Sequence, residues 1–427
     1  MTRVKLFAAG TFRSMRVRNY RLYFFGQLGS NVGTWMQNIA LIWLVYNDLT
    51  HSATAVGFIT AAQFLPMLLF ASWGGVIADR FDKRRTLIGT QAGMALAAGA
   101  LAALTLGGVA RMWMIYSLTL LSGLANAVDN PTRQAFVSEM VGAEDLPNAV
   151  SLNSAMFNSA RILGPAIGGV LIKLAGAGTC FAVNAVSFAA VIVSLVLMRP
   201  DELWLSKPVA RARGQIREGL RYVWSTPVIR STMLMIAVVG TLGFNFSVVL
   251  PVLAKRTFQG DATTFSLLVS LMGLGALVGA LASASRARPT PALLVGSCLA
   301  FGVAATICAV APSLALEYPV LVLVGASSIL FIAAANSTLQ LASTAAMRGR
   351  VMAVYAILFL GSTPIGGPIV GWISQHLGPR YGLGVGSVAT LLTGMAAGAV
   401  LLRRGNELRR AGSLAVAGEA TADAAAA

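Results

Sequence analysis

Stretches of mostly apolar residues, each about as long as a bilayer-crossing helix, recur along nearly all of this 427-residue chain, separated by short polar punctuations. Roughly 20 such residues, rising 1.5 Å each, span the hydrocarbon layer. They run over ~21–46, ~54–78, ~86–108, ~112–130, ~148–174 and ~178–198 in the first half. The second half gives ~229–253, ~262–285, ~291–311, ~318–342, ~350–375 and ~381–402. At 56% hydrophobic residues and a mean hydropathy of +0.74, the chain is more apolar than a soluble protein that buries one face of each element. The pattern predicts an all-α membrane protein with twelve transmembrane helices.

A net charge of +17 could suggest a nucleic-acid partner, but the placement of the charges points to topology. With a cytoplasmic N-terminus, only Arg111, Lys173, Lys255, Arg256 and Arg380 of the 32 basic residues fall in outer loops, and Arg161 falls within a span. That is the positive-inside bias, with an even number of crossings and both termini in the cytoplasm. The first 20 residues are basic and lead into a hydrophobic stretch too long for a signal-peptide core, so that stretch is expected to remain as the first helix. Cys180, Cys298 and Cys308 lie in apolar spans without metal-ligand spacing and read as packing residues.

The halves repeat one another. RILGPAIGGVLIKLAG (161–176) has a counterpart in STPIGGPIVGWISQHLG (362–378), with Gly164-Pro165 opposite Gly367-Pro368 and Gly168 opposite Gly371. At nearly the same offset, the segment from Gly75 to Arg85 falls opposite GALASASRARP (279–289), which keeps the glycine and two arginines but not the aspartates. The expected organisation is a first six-helix bundle over 1–198, a linker over 199–228, a second bundle over 229–403 and a disordered tail over 404–427. Within the linker, GQIREGLRYVW places Ile216, Leu220 and Val223 at helical spacing, with Arg213, Arg217 and Arg221 every fourth residue. It reads as a short basic helix on the inner membrane surface.

One loop concentrates charge in a chain of which only 11% is charged: in GGVIADRFDKRR (74–85), every residue from Asp79 to Arg85 except Phe81 is ionised. Taken with the twelve spans, the internal repeat and GPAIGG in span five, this loop resembles the major facilitator superfamily over about residues 15–403. The loop pattern of that family, Gly-x-x-x-Asp-Arg-x-Gly-Arg-Arg, is met by Gly75, Asp79, Arg80 and Arg84, with Asp82 at the usual glycine and Lys83 at an arginine. This form, RGRVMAVY (348–355) and EGLRYVW (218–224) are similar to the enterobactin-exporter-like branch. The resemblance implies a conformational latch formed by Gly75, Asp79, Arg80, Asp82, Arg84 and Asp129. In it, Asp79 caps the start of span eleven and Arg80 reaches Asp129 while the cytoplasmic side is shut.

Pro165 removes a backbone donor within span five, and Gly164, Gly168 and Gly169 allow a neighbouring helix to approach closely. The family's antiporter motif is similar to this segment, with Ala160 in place of its first glycine, and it favours export. Charges within a membrane are functional candidates by default. Asp129, Arg133 and Arg161 are therefore proton-coupling candidates, with a structural Asp129–Arg80 pair as the alternative. Many proton-coupled exporters of the family carry an arginine in span four, three residues before a glycine equivalent to Gly123, and Leu120 stands there in this chain. The resemblance puts helices one, four, seven and ten around a cavity. Trp35, Gln37, Asn38, Asn126, Asn245, Phe246, Asn336 and Gln340 are its candidate lining, suited to a mixed polar and apolar small molecule.

No P-loop is present, and His51 and His376 fall in outer loops without a catalytic constellation. The chain therefore reads as neither an ATPase nor another enzyme, with no cofactor and no metal site. Its expected partners are a small-molecule substrate, protons and membrane lipid, with neither ATP nor nucleic acid. The expected function is secondary export of siderophore-like or drug-like molecules across a bacterial cytoplasmic membrane. A nutrient importer and a non-transporting membrane sensor or scaffold are the alternatives.

Overall fold

The computed structural model describes residues 12–204, 215–284 and 290–401. The proposed tail, part of the linker and the arginine pair Arg286 and Arg288 of the weakened repeat lie outside the described residues. Among the described residues, ten helices are long and apolar enough to cross a membrane. One of them, Met112–Ala175, has 64 residues and turns back at Gly142, whose φ of 70° and ψ of 179° are non-helical. It is therefore two antiparallel helices, α4 (112–141) and α5 (143–175). Glycine is suited to that turn because it adopts positive φ without a Cβ clash.

The other elements of the first half are α1 (Arg18–Trp43, extended by a π-turn to Thr50), α2 (Ala53–Arg80), α3 (Lys83–Leu106) and α6 (Ala177–Val196). A short helix, α7 (Gln215–Ser225), leads into α8, a span over Pro227–Thr257 interrupted by π-turns at Val239–Gly243 and Leu253–Thr257. Then come α9 (Ala262–Ala284), α10 (Pro291–Val310), α11 (Leu314–Ala342), α12 (Ala345–His376) and α13 (Pro379–Leu401). With α1 and the divided long helix counted, the described residues form twelve membrane-crossing helices in two six-helix bundles. The spans agree closely with the sequence reading except span four, which runs to residue 141 rather than ~130 because Pro131 is accommodated inside the helix.

Helices meet where small residues let backbones touch. A Cβ on Gly275 of α9 would lie 2.0 Å from the Val322 carbonyl oxygen of α11, and one on Gly325 of α11 would lie 2.0 Å from that of Met272. In the first half, Gly74 of α2 faces the Ala127 carbonyl in the same way. Between the halves, α2 packs on α12 and α5 on α9. The Gly57 Cα approaches the Gly367 carbonyl so closely that a Cβ would stand 2.3 Å from it.

Gly275→Ala is expected to force α9 from α11 and cost about 1–3 kcal/mol. Gly296→Ala, where a Cβ meets nothing within 4 Å, should be neutral. Thermal unfolding of the purified proteins in detergent compares them, and equal melting would remove the close-approach argument.

Candidate functional site

The charged loop ties together the first half. Asp82 caps α3, its Oδ1 accepting the Arg85 amide at 2.7 Å. Lys83 is buried and its Nζ donates to Glu139 Oε1 of α4 at 2.7 Å. Arg84 caps the end of α6, donating to the carbonyls of Leu195 at 2.6 Å and Val196 at 2.9 Å. The Glu139 carbonyl accepts the Trp204 amide at 2.7 Å, and the Trp204 indole packs over Gly142. Nearby, Arg13 pairs with Asp145, and Asn19 and Arg199 exchange side-chain to backbone bonds of 2.9 and 3.0 Å.

Asp129 is not paired with Arg80 in this structure. It accepts from Thr90 Oγ1 and Gln91 Nε2 of α3, both at 2.9 Å, and pairs with Arg133 at 3.4 Å. Both carboxylate oxygens are already engaged, Oδ1 by Thr90 and Gln91 and Oδ2 by Arg133. Arg80 stands exposed at the last residue of α2. Gly75 is buried and Asp79 half-buried in the same terminal segment. The start of α12 is met by α7, where Arg350 pairs with Glu218 at 2.5 Å and the Thr344 amide donates to the Tyr222 hydroxyl at 3.4 Å. Arg133 also reaches Asn31 Oδ1 at 3.4 Å, which leaves Arg161 outside the Asp129–Arg133 pair.

The glycines of span five serve two neighbours. Gly164 lies against Trp35 and Val32 of α1, and Gly168 lies against Met36. Gly169 faces Ser266 of α9, across the boundary between halves. At the same end, the Ala53 amide donates to Gln375 Oε1 at 2.8 Å, Arg256 reaches the His51 carbonyl at 3.4 Å, and Lys173 pairs with Asp261 at 3.1 Å. Trp43 stacks on Phe265 with centroids 6.1 Å apart. From this tied end the contacts continue to Leu68 against Gly361 and the Arg161 backbone against Gly273.

The candidate cavity residues divide into distinct environments. Gln37 accepts from Asn184 Nδ2 at 2.8 Å and Asn38 from Gln63 Nε2 at 2.9 Å, both within the first half. Asn245, at the break in α8, donates to the Thr241 carbonyl at 2.6 Å, and Phe246 is buried against Phe301. Those two therefore face the interior of the second half. Asn336 accepts from Gln340 Nε2 at 2.5 Å on α11, and Asn126 is half-buried on α4. Trp35 stands between Phe157 and Arg161.

The structure adds two buried acids that the sequence reading does not single out. Glu139 escapes it because a span four ending at ~130 leaves residue 139 in a loop. Glu317, wholly buried in the first turn of α11, sits two residues before Pro319, where the sequence shows only a span boundary. Cys308 donates to Glu317 Oε1 at 2.7 Å, while Oε2 has no hydrogen-bond partner among the described residues. Among the described residues, no cluster of His, Cys, Asp and Glu could hold a metal ion.

Glu139→Ala removes the carboxylate that accepts from the buried Lys83 ammonium and is expected to cost about 3–5 kcal/mol. Replacing both by Met and Leu should recover most of that loss in thermal unfolding. A second test uses Asp261, whose carboxyl the Thr264 amide, then the Lys173 ammonium, hold below its ordinary value despite partial burial. A depressed carboxylate contributes stability above its unfolded pKa of about 3.9 and loses it as pH falls through the lower folded value. The melting deficit of Asp261→Asn should therefore stay constant from about pH 8 to pH 5 and shrink only below about pH 4. A deficit that shrinks already near pH 6 would contradict the assignment.

Residues 9–423 match the family model described as transmembrane secretion effector. The multidrug efflux pump Tap of Mycolicibacterium fortuitum is 28% identical over 403 residues, covering 91% of this chain and 96% of the pump. The staphyloferrin A transporter of Staphylococcus aureus is 28% identical over 253 residues, 58% of this chain and 63% of that transporter's length. The enterobactin exporter of Shigella flexneri is 24% identical across 85% of this chain and 86% of the exporter. Among solved structures, the peptide transporter POT in complex with sulfate superposes with a TM-score of 0.73 at 14% identity, covering 90% of this chain and 94% of that one. These relatives are transporters rather than enzymes, and ten apolar helices agree with a multi-pass protein of the bacterial cytoplasmic membrane. With the helical bundles, the charged loop and a family match across nearly its whole length, the chain belongs to the transmembrane secretion effector family of major facilitator transporters.

Proposed function

We propose that this protein exports amphipathic small molecules, siderophore-like or drug-like, by alternating access driven by proton antiport. The observation that carries the reading is the interface between halves. At one end, α2 meets α12 and α5 meets α9 through glycine and serine contacts, and the antiporter-like motif lies within that interface. Small residues give shallow, smooth contact surfaces on which two bundles can rock. On this reading the units that move are residues 1–198 and 229–403, joined by a linker over 199–228 and followed by a cytoplasmic tail over 404–427.

In the proposed cycle, the tied end is periplasmic and the charged end is cytoplasmic, as the distribution of basic residues supports. Closing the charged end would bring the terminal turn of α2, with Gly75, Asp79 and Arg80, against the start of α12. Asp79 would then sit near a helix N-terminus, where the dipole favours an anion. Asp82 and Arg84 set the position of that turn through their caps on α3 and α6. Asp129, buried with Arg133, Thr90 and Gln91, is the proposed proton carrier.

The test is proton release from acidified inside-out vesicles on adding siderophores, macrolides or lipophilic cations, against vesicles lacking the protein. Compound-specific release is expected. Substrate accumulation that instead requires the opposite proton movement would make the protein an importer. Asp79→Asn should reduce transport roughly fivefold, the effect of a shift of about 1 kcal/mol between two states, without loss of protein from the membrane. Unchanged transport by that variant would remove the latch.

A further inference from the structure

We propose that Arg161 is the anion-binding subsite of the substrate cavity, and that the preferred substrate is an amphipathic monoanion carrying a carboxylate on an aromatic group. The inference rests on the transporter reading and narrows its substrate class.

Arg161 lies about 27 Å from the start of α5 (143–175) and about 21 Å from its end, near mid-membrane. A cation at that depth is expensive unless it is neutralised or reaches water. The other interior cations of the first half are neutralised by their own fold, Lys83 by Glu139 and Arg133 by Asp129. Arg161 differs. Among the described residues it forms neither an ion pair nor a side-chain hydrogen bond. Its guanidinium carbon instead stands 5.8 Å from the centroid of the Trp35 ring.

That contact stabilises the positive charge while leaving the planar set of N–H donors unoccupied. Such a fork matches the two oxygens of a carboxylate. Around it are aromatic surfaces: Trp35 meets Phe157 edge-on at 5.9 Å, and Phe157 is 45% exposed. The Trp35 side chain is held in place by Gly164, one turn along from Arg161, which leaves no room for a Cβ beside it. The Arg161 backbone faces Gly273 of α9, so the residue stands where the two halves meet. A fixed ring, a free guanidinium and a position on the boundary between halves together specify a flat apolar group attached to an anion.

The probes are 2-naphthoate and its neutral counterpart 2-naphthamide, measured by equilibrium dialysis against the purified full-length protein in detergent at neutral pH. Wild type should bind the naphthoate about tenfold more tightly or better, as expected for a bidentate charge-assisted contact. Arg161→Gln should bring the two affinities together, and Arg161→Lys should keep a reduced preference for the anion. Trp35→Leu should weaken both probes alike. All proteins are first shown to be monodisperse. Should Arg161→Gln fail to fold, the lysine and Trp35 variants carry the test. Equal, saturable binding of both probes to wild type would overturn the anion subsite while leaving the transport reading standing. Retained preference in Arg161→Gln, or no saturable naphthoate binding by wild type, would also overturn it. Failure of the transport reading would appear separately, as silence in the vesicle experiment.

Discussion

In a hydrocarbon solvent, burying a leucine against another helix removes it from nothing worse than lipid, so apolar area supplies little force to bring helices together. Close backbone approach must provide the packing energy, and the structure depends on it throughout. Gly275 and Gly325 bring α9 and α11 into mutual contact, Gly74 sets α2 on α4, and Gly123 faces the Gln63 carbonyl and Pro66. The same chemistry recurs between the halves at Gly57 and Gly367. Contacts within a bundle and contacts between bundles are therefore similar in kind. They differ in what surrounds them: within the first half buried ion pairs reinforce the glycines, whereas the charged contacts between the halves, Lys173–Asp261 and Arg256–His51, are exposed.

Those charges explain why the loop after α2 is so densely ionised. Lys83, Arg84 and Asp82 each satisfy something in the first half: a buried carboxylate, the end of α6 and the start of α3. An unpaired buried charge or an open helix end would be costly in this setting. The loop therefore fixes α3, α4 and α6 relative to one another. Such stiffening suits the proposed rocking mechanism, which requires each bundle to move as a unit. Asp79 and Arg80, in the last turn of α2, lie just before this reinforced set.

The helices are legible because membrane thickness imposes a length and the lipid imposes a composition, and both are local properties of sequence. The α4–α5 boundary is less legible. Pro131 reads as a helix end, yet in membrane helices proline is tolerated where neighbours satisfy the freed backbone groups. That one shift conceals Glu139 and places Asp129 well inside its helix, where Thr90, Gln91 and Arg133 engage it. Cavity residues are harder still. Gln37 and Asn38 lie one position apart on α1 but face α6 and α2 respectively, and only the packing of the bundle distinguishes them. The glycine motif of α5 is recognisable in sequence, but its division between α1 and α9 is not, because three glycines within six residues carry no record of their neighbours.

Interior charges can be sorted by where their compensation comes from. If a charge is neutralised by the fold, it is part of the scaffold and remains satisfied whatever the halves do. A charge left without a protein partner must be compensated by water or by a molecule that enters, and its energy then depends on occupancy and on access. Lys83 and the Asp129–Arg133 pair carry internal compensation, although an ionisable pair can still exchange a proton. Among the described residues Arg161 lacks it, and it stands on the helix whose glycines contact both its own bundle and the other one. A bound anion there would change the electrostatics of the boundary along which the two bundles meet. Binding and rearrangement would then be coupled through one residue, without requiring any long chain of contacts between a remote site and the interface.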